Sequence, residues 1–217
     1  MKTFDLSLYL VLDPDLCRDM TMVETARAAV AGGVTMVQLR HKHASTALRI
    51  ELGRALKAAL SGTAATLIIN DDLEATVEVQ ADGLHIGQQD IDATTARQRI
   101  GNDMILGVSC SQESHATGID PRIVDYAGIG PIFGTATKPD HDRPLDPSGL
   151  RHLVSIAPVP SVAIGGLKLE HVDAVLEAGA AGLAVVSAIC GQADPEAISR
   201  QFADRIRLSR IRRTRAQ

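Results

Sequence analysis

The chain has 217 residues, enough for one well-buried domain, and its 45% hydrophobic and 22% charged residues are typical of a soluble globular protein. Its formal net charge of −4 at pH 7 gives no field that would attract the whole protein to nucleic acid or to an anionic membrane, so neither is an expected partner. With no Trp, two Tyr and three Phe, the chain has few side chains on which bases could stack, and Ala, Val, Leu and Ile must fill its core.

The cysteines and the N-terminal segment predict a cytoplasmic protein. Cys17, Cys110 and Cys190 are widely spaced and odd in number, which fits neither a disulfide framework nor a CxxC motif. The apolar run at residues 6–12 is closed by Asp13 and Pro14 and is much shorter than the roughly 20 residues of a membrane helix. No signal for export is recognised in this segment.

Short apolar or β-branched segments alternate with Ala- and Leu-rich segments of helical period along the chain. Eight strands are predicted, at residues 7–12, 34–40, 66–70, 83–86, 104–109, 125–129, 161–164 and 182–187. Eight helices are predicted to alternate with them, at residues 23–31, 47–59, 73–80, 94–99, 112–117, 147–155, 169–177 and 195–208. This alternation favours parallel pairing and right-handed crossovers, and it predicts an α/β fold, a single (β/α)8 TIM barrel over residues 1–217.

Glycines and arginines mark the joins and the C-terminus. Residues 31–33, 81–83 and 178–182 each lead from a helix through Gly into a strand, which predicts left-handed helix C-caps. Residues 205–215 contain six arginines without interleaved aromatic residues. This composition favours a short, solvated basic tail from about residue 209 over a contact with nucleic acid.

Polar side chains end the second predicted strand. Gln38, Arg40 and Lys42 recur at every second residue, so an extended strand projects all three to one side. Enzymes of this fold carry their active sites at the C-terminal ends of the strands. Two interpretations fit the pattern equally: a pair of cations at the barrel mouth, and a solvated strand end with alternating charge.

An aspartate follows each of the next two predicted strands. Asp71 and Asp90 are the predicted ligands of Mg2+, because this cation binds through one or two carboxylates and completes its coordination with water and phosphate oxygens. Asp72 is predicted to cap the helix that follows it. His85 has no His or Cys at ligand spacing and is predicted to be a hydrogen-bonded core residue.

The fifth predicted strand ends at Ser109. Its hydroxyl is placed either to donate to a phosphate oxygen or to cap the next helix, and the sequence leaves both open. The surrounding residues do not form the Gly-x-Ser-x-Gly turn of a serine nucleophile. Cys110 is predicted to be a small buried hydrophobic residue.

Two further connections offer groups for an anion. The connection after the sixth predicted strand contains Thr135, Thr137 and Lys138, and loops of its length, about sixteen residues, are usually functional or disordered. Gly165 and Gly166 follow the seventh strand, where backbone N–H groups of a barrel commonly hold phosphate. The sequence therefore predicts two anion sites at one mouth, one with a metal and one formed mainly by backbone amides.

These motifs resemble those of the thiamine phosphate synthase family, and the resemblance extends from Tyr9 to the last predicted helix. In chain order the matching motifs are QLRHK at 38–42, NDD at 70–72, HIGQQD at 85–90, GVS at 107–109, GPIFGTATKPD at 130–140, IGG at 164–166 and VVSA at 185–188. The chain departs from the family at His41, where an acidic residue is common, and at Gly134, where a proline often precedes the threonines.

The resemblance implies a transferase that couples 4-amino-2-methyl-5-hydroxymethylpyrimidine diphosphate with 4-methyl-5-(2-phosphooxyethyl)thiazole, or its carboxylate, to give thiamine phosphate and pyrophosphate. It implies that the pyrimidine diphosphate is bound by Gln38, Leu39, Arg40, His41, Lys42, Asn70, Ser109 and Lys138. Four of these residues, Arg40, Lys42, Ser109 and Lys138, are implied to assist catalysis. The implied thiazole phosphate site comprises Thr135, Ala136, Thr137, Gly166, Val186 and Ser187, and Asp71 and Asp90 are implied to hold Mg2+.

The implied chemistry is a dissociative displacement at the pyrimidine methylene, in which positive charge stabilises the departing pyrophosphate and no protein nucleophile is needed. The first alternative is a thiazole tautomerase-like isomerase of the same fold. The second is a non-catalytic regulator that binds phosphate on the barrel. The sequence does not predict an oligomeric state.

Overall fold

A computed structural model describes residues 2–17, 19–134 and 143–215. These residues contain eight strands: β1 (Leu8–Leu12), β2 (Met36–Leu39), β3 (Thr66–Asn70), β4 (Gly83–Ile86), β5 (Ile105–Cys110), β6 (Tyr126–Ile129), β7 (Ser161–Ile164) and β8 (Gly182–Val185). Each strand pairs in parallel with the next along the chain, and β8 pairs with β1, so the sheet closes into a barrel. The predicted (β/α)8 TIM barrel is confirmed.

The described residues also contain eight α-helices: α1 (Met22–Ala31), α2 (Thr46–Leu60), α3 (Leu73–Val79), α4 (Ala93–Ile100), α5 (Glu113–Thr117), α6 (Asp146–Ile156), α7 (Val172–Glu177) and α8 (Pro195–Arg215). Short 3-10 helices lie at Pro14–Leu16 and Leu169–His171. Local capping explains several starts, because Thr21, Ser45, Asp72 and Asp92 each accept a hydrogen bond from an N–H of the first turn. None of the helices in the described ranges is long and apolar enough to cross a bilayer.

Alternation along the strands divides the core into two layers. In β1, Leu8, Leu10 and Leu12 face the helices, whereas Tyr9 and Val11 face the barrel interior. The interior layer consists of Leu6, Tyr9, Val11, Met36, Ile68, Ile105, Tyr126, Val162 and Ala184. Both tyrosines of the chain therefore lie inside the barrel, below the C-terminal mouth.

The helix-to-strand joins follow the prediction in two cases of three. Gly33 and Gly179 adopt positive φ angles of 108° and 99°, as expected of left-handed caps. In the third join the left-handed residue is Gln80, with φ 52°. Gly83 instead lies in β4, where a Cβ atom would come within 2.4 Å of the Ile105 carbonyl oxygen, so close packing of the strands requires glycine there.

The basic segment predicted as a solvated tail from about residue 209 is helical, because α8 continues to Arg215, and residues 210–214 are exposed. Ser209 is buried in this helix. Arg210 donates to the Ala181 carbonyl at 2.6 Å, and Arg213 donates to the Leu176 carbonyl in the last turn of α7. The basic residues therefore attach α8 to its neighbours, since their guanidinium groups donate to carbonyls at the edges of adjacent elements.

The three cysteines are buried and free. Cys110 is 1% exposed and packs in the layer between strands and helices, as predicted for a small hydrophobic residue. Burial raises the pKa of its thiol to about 11, which keeps the thiol protonated near neutral pH.

Candidate active site

A cavity of about 490 Å3 opens at the C-terminal end of the barrel. All eight strands contribute to its wall, and the volume lies within the usual range of small-molecule sites. The predicted site residues that line it are Gln38, Arg40, Lys42, Asn70, Asp71, Asp90, Ser109, Gly166, Val186 and Ser187. A second cavity, of about 470 Å3, adjoins Asp5 and Thr35 and contains none of the predicted site residues.

The period of two in the second strand decides which of residues 38–42 face the cavity. Gln38, Arg40 and Lys42 line it, as predicted. The side chain of Leu39 is fully buried in the layer between strands and helices, and His41 is not a lining residue. Leu39 and His41 stay predicted substrate contacts, and the strand geometry favours their backbone atoms over their side chains for that role.

Arg40 is held by a carboxylate that the sequence analysis did not predict. Its Nη1 lies 2.6 Å from Asp13 Oδ2, and the two side chains are 15% and 12% exposed. Asp13 also accepts a hydrogen bond from the Asp15 N–H and so caps the first 3-10 helix. The sequence did contain a signal for this pair: Asp13 directly follows the first strand, so it lies at the same end of the barrel as Arg40.

Asp71 and Asp90 form a pair at the cavity wall. Asp71 follows β3 with φ 62°, and its N–H donates to the His85 carbonyl at 2.8 Å. Asp90 Oδ2 accepts from the Gly87 N–H at 2.7 Å. Burial and the nearby Asp90 carboxyl raise the pKa of Asp71 to about 6, although Lys42, 3.5 Å away, acts in the opposite direction.

The donor set suits the predicted metal. The described residues contain no group of three or more His, Cys, Asp or Glu side chains that could hold an ion. Mg2+ does not need one, since it is commonly bound by one or two carboxylates with water and phosphate oxygens. Two adjacent carboxylates repel each other when both are ionised, and a divalent cation between them relieves that repulsion. Asp71 and Asp90 therefore fit Mg2+.

Asp71→Asn is expected to stabilise the metal-free protein at pH 8 by about 1–2 kcal/mol. The folded-state pKa of Asp71 is about 6, above its ordinary value of 3.8, so the folded protein binds the proton more tightly than the unfolded chain does. Its ionisation costs stability above about pH 6, and this cost disappears as the pH falls towards 4. Urea unfolding with EDTA at pH 8 and pH 4.5 measures the difference. The exposed Asp103→Asn is the control, and an equal gain at both pH values would contradict the assignment.

Asp72 has the structural role that was predicted for it. Its Oδ1 accepts from the Ala75 N–H at 2.9 Å and caps α3, while its Oδ2 lies 2.9 Å from Arg49 Nη1. Burial alone would raise the pKa of Asp72, but these hydrogen bonds outweigh burial and hold the pKa below its ordinary value. Asp72 is not a lining residue of the cavity.

His85 and Ser109 meet inside the barrel. His85 Nδ1 lies 2.9 Å from the Tyr126 hydroxyl, and its Nε2 lies 3.0 Å from Ser109 Oγ. His85 is thus hydrogen-bonded, as predicted, and burial lowers its pKa to about 4. Ser109 faces the cavity from β5, and Gln112 rather than Ser109 occupies the N-cap position of α5. The cavity-facing hydroxyl is therefore the alternative that the structure supports.

The loops after β6 and β7 are joined at the rim of the cavity. Ile132 and Phe133 donate through their N–H groups to the carbonyls of Ile164 and Gly165, at 2.9 and 3.1 Å. Gly166 has φ 63°, and a Cβ atom there would lie 2.7 Å from the Gly134 carbonyl oxygen, so this position requires glycine. The predicted ligands Thr135, Ala136, Thr137 and Lys138 lie outside the described residues.

Tyr9, Gln88 and His115 are among the lining residues that the sequence analysis did not predict. Gln88 Nε2 donates to the Ser109 carbonyl at 2.5 Å, and His115 Nδ1 accepts from the Ser111 N–H at 3.3 Å. Tyr9 was counted among the apolar residues of the first strand, but its inward position at a period of two from Val11 was a usable signal.

Comparisons with known proteins agree with this architecture. The model of a family described as thiamine monophosphate synthase matches residues 8–189. The thiamine-phosphate synthase of Azorhizobium caulinodans is 44% identical over 209 residues, which cover 95% of this chain and 98% of that protein. The enzyme of the same name from Psychrobacter sp. is 43% identical over 196 residues, covering 88% and 91%. The solved structure of thiamine phosphate pyrophosphorylase from Pyrococcus furiosus has a TM-score of 0.85 and 30% identity, covering 94% of this chain and 96% of that one. The chain therefore belongs to the thiamine monophosphate synthase family and is a transferase of thiamine biosynthesis.

Proposed function

We propose that the protein couples 4-amino-2-methyl-5-hydroxymethylpyrimidine diphosphate with 4-methyl-5-(2-phosphooxyethyl)thiazole, or its carboxylate, and releases pyrophosphate. One observation carries the proposal: the cations Arg40 and Lys42, the carboxylate pair Asp71 and Asp90, and the hydroxyl of Ser109 line one cavity. A leaving diphosphate needs this combination of positive charge, a metal site and a hydrogen-bond donor.

The proposed Mg2+ is held by Asp71 and Asp90 and, when bound, neutralises charge on the diphosphate. Arg40 and Lys42 add fixed positive charge at the same wall, and the Asp13 carboxylate orients Arg40 in advance. Ser109 donates to a phosphate oxygen. For Lys138, and for the thiazole phosphate contacts of Thr135, Ala136 and Thr137, the family motif is the support.

A serine nucleophile activated by His85 is less well supported. The imidazole nitrogen that does not face Ser109 meets the Tyr126 hydroxyl, not a carboxylate. A pKa of about 4 also makes His85 a weak base near neutral pH. The Ser109–His85 contact therefore favours positioning of the hydroxyl, which agrees with a dissociative displacement that forms no covalent enzyme intermediate.

The same residues separate the proposal from its alternatives. A thiazole tautomerase-like isomerase has no diphosphate to expel, and a phosphate-binding regulator has no leaving group to stabilise. Two features support the coupling reaction. A carboxylate pair lies beside Lys42, and the Asp13 carboxylate holds Arg40 at the cavity. A cytoplasmic location is proposed from the three free cysteines.

The purified protein, supplied with both phosphorylated substrates, is expected to form thiamine phosphate and pyrophosphate in equal amounts only when Mg2+ is present. Chromatography of the coupled product together with a pyrophosphate assay measures this, with EDTA as the metal-free control. Isomerisation of the thiazole without pyrophosphate release would support the tautomerase-like alternative. Binding without turnover would support the regulator.

Asp13→Asn is expected to lower kcat/KM for the pyrimidine diphosphate about fivefold, the effect of one hydrogen bond to a charged group. Asparagine can still accept from the Asp15 N–H, but it removes the negative charge that holds Arg40. Steady-state kinetics measures the change, and Asp15→Asn, an exposed substitution in the same 3-10 helix, is the matched control. Equal kinetics in both variants would show that Arg40 does not need its anchor.

A further inference from the structure

A continuous hydrogen-bond chain crosses the barrel interior beneath the cavity. Gln38 Nε2 donates to the Tyr9 hydroxyl at 2.6 Å, and the Tyr9 and Tyr126 hydroxyls are 2.9 Å apart. The Tyr126 hydroxyl lies 2.9 Å from His85 Nδ1, and His85 Nε2 lies 3.0 Å from Ser109 Oγ. The chain links five strands, and both of its ends belong to the proposed pyrimidine diphosphate site. Of its three middle members, only His85 has a part in the proposed function as stated above, through its contact with Ser109.

The packing around the chain leaves space for these rings. A Cβ atom on Gly107 would lie 2.1 Å from Cζ of Tyr126, and one on Gly128 would lie 3.2 Å from Cε1 of His85. The ring of Tyr9 meets that of Tyr126 edge-on, with centroids 6.0 Å apart. Larger residues at the two glycines would displace the tyrosine or the histidine, so the strands accommodate this arrangement specifically.

The chemistry of the members allows only two directions. Each tyrosine hydroxyl has one hydrogen, and a neutral imidazole has one N–H, so an unbroken chain must donate the same way at every link. In the first direction Gln38 donates to Tyr9 and His85 donates through Nε2 to Ser109. The amide oxygen of Gln38 and the hydroxyl hydrogen of Ser109 are then left for a ligand. In the second direction Ser109 donates to His85, and Tyr9 donates to the amide oxygen of Gln38. The NH2 group of Gln38 and only the lone pairs of Ser109 are then left for a ligand.

One observation and one chemical argument favour the first direction. Gln38 is oriented with Nε2, not its oxygen, towards Tyr9. A phosphate oxygen next to Ser109 can only accept, so it requires the hydroxyl hydrogen. Burial supports an uncharged chain, because Tyr9 and Tyr126 are 1% and 0% exposed and a charge among these rings would be desolvated.

We propose that Tyr9, Tyr126 and His85 are positioning residues that join Gln38 to Ser109 in one directional chain. A ligand then meets an acceptor at Gln38 and a donor at Ser109. This inference rests on the proposed function, in which one substrate carries an amino group on its ring and a diphosphate at its other end. Reversing either end of the chain breaks a link or presents a mismatched group to that substrate.

The ring nitrogens of His85 report the direction in the free protein. In 15N NMR spectra of histidine-labelled protein near pH 7, with His85 assigned through His85→Gln, the ring is expected to be neutral with the proton on Nε2. A ring protonated on Nδ1 overturns the proposed direction. This measurement needs no substrate and no turnover, so its result stands whether or not the coupling reaction is observed.

Tyr126→Phe tests the linkage by removing the middle hydroxyl. We expect the single His85 tautomer to be lost and kcat/KM for the pyrimidine diphosphate to fall about tenfold, with KM for the thiazole phosphate unchanged. Thr35→Val is the matched control, because it removes a hydroxyl that bonds to Leu8 at the opposite end of the barrel. It is expected to leave the His85 spectrum and kcat/KM unchanged.

A wild-type His85 spectrum in Tyr126→Phe overturns the linkage, even if turnover falls for other reasons. If Tyr126→Phe does not fold, Tyr9→Phe breaks the adjacent link and is measured in the same way. An effect of Thr35→Val equal to that of the tyrosine variants also counts against the proposal, because any loss of a hydrogen-bonded hydroxyl in the barrel would then produce the change.

Discussion

Asp71→Asn and Asp90→Asn are each expected to lower the turnover of the coupling reaction by at least about tenfold. Each substitution keeps the size of the side chain but removes one of the two negative charges that hold Mg2+ at the cavity wall. Burial, together with the neighbouring Asp90 carboxyl, raises the pKa of Asp71 to about 6. Two neighbouring carboxylates favour the binding of a divalent cation. Replacing one of them with asparagine is expected to weaken that binding.

The measurement is kcat as a function of Mg2+ concentration, together with Mg2+ binding to the free protein by calorimetry. Both variants are expected to require more Mg2+, and partial rescue at high Mg2+ would separate metal loss from misfolding. Asp103→Asn, in the exposed turn before β5, is the control and is expected to behave like the wild type. Near-normal turnover in both variants at low Mg2+ would remove the metal assignment.

Arg97→Ala is expected to lower the free energy of unfolding by about 3 kcal/mol, the cost of removing one partner from a buried ion pair. Arg97 is 8% exposed and lies 2.7 Å from Asp125 Oδ2. Its guanidinium also donates to the carbonyls of Ile123, Gly101 and Met104. With alanine at position 97, the Asp125 carboxylate would keep its ion pair with Lys2 but lose the one with Arg97. The three carbonyls would lose the guanidinium as a hydrogen-bond donor.

Urea unfolding monitored by circular dichroism measures this loss. Arg122→Ala is the matched control, because that arginine pairs with Asp120 but its side chain is 87% exposed. It is expected to produce no measurable change, since exposed pairs contribute little. The catalytic constants of the folded Arg97→Ala protein should equal those of the wild type, because Arg97 does not line the cavity. A similar loss of unfolding free energy in both variants would contradict the idea that burial makes the Arg97 ion pair more stabilising than the exposed Arg122 pair.

Local signals in the sequence predicted much of the fold. The bounds of β3, β4 and β7 agree with the predicted ones, because short apolar runs bounded by Gly, Pro or Asp define a buried parallel strand without reference to the rest of the chain. The start of α3 also agrees, since its N-cap Asp72 acts on an N–H only three residues away.

The sequence left open what distant contacts decide. Residues 209–215 have a composition that suits either a solvated tail or a helix. They are helical in α8, and Arg210 and Arg213 bond to carbonyls of Ala181 and Leu176 that a sequence pattern does not bring near them. Leu39 was grouped with its neighbours by resemblance, and strand alternation turns its side chain, though not its backbone, away from the cavity.

By itself the sequence determined the barrel and the end at which its polar residues gather. Parallel strands all deliver their C-terminal ends to one mouth, so Gln38, Asp71, Asp90 and Ser109 had to lie there. Only the tertiary structure decided which of these groups touch. Asp13 and Arg40 are separated by 27 residues, and Tyr9 and Tyr126 by 117. Barrel closure brings such pairs within hydrogen-bonding distance, and contacts of that kind depend on packing across the whole sheet, which no local pattern encodes.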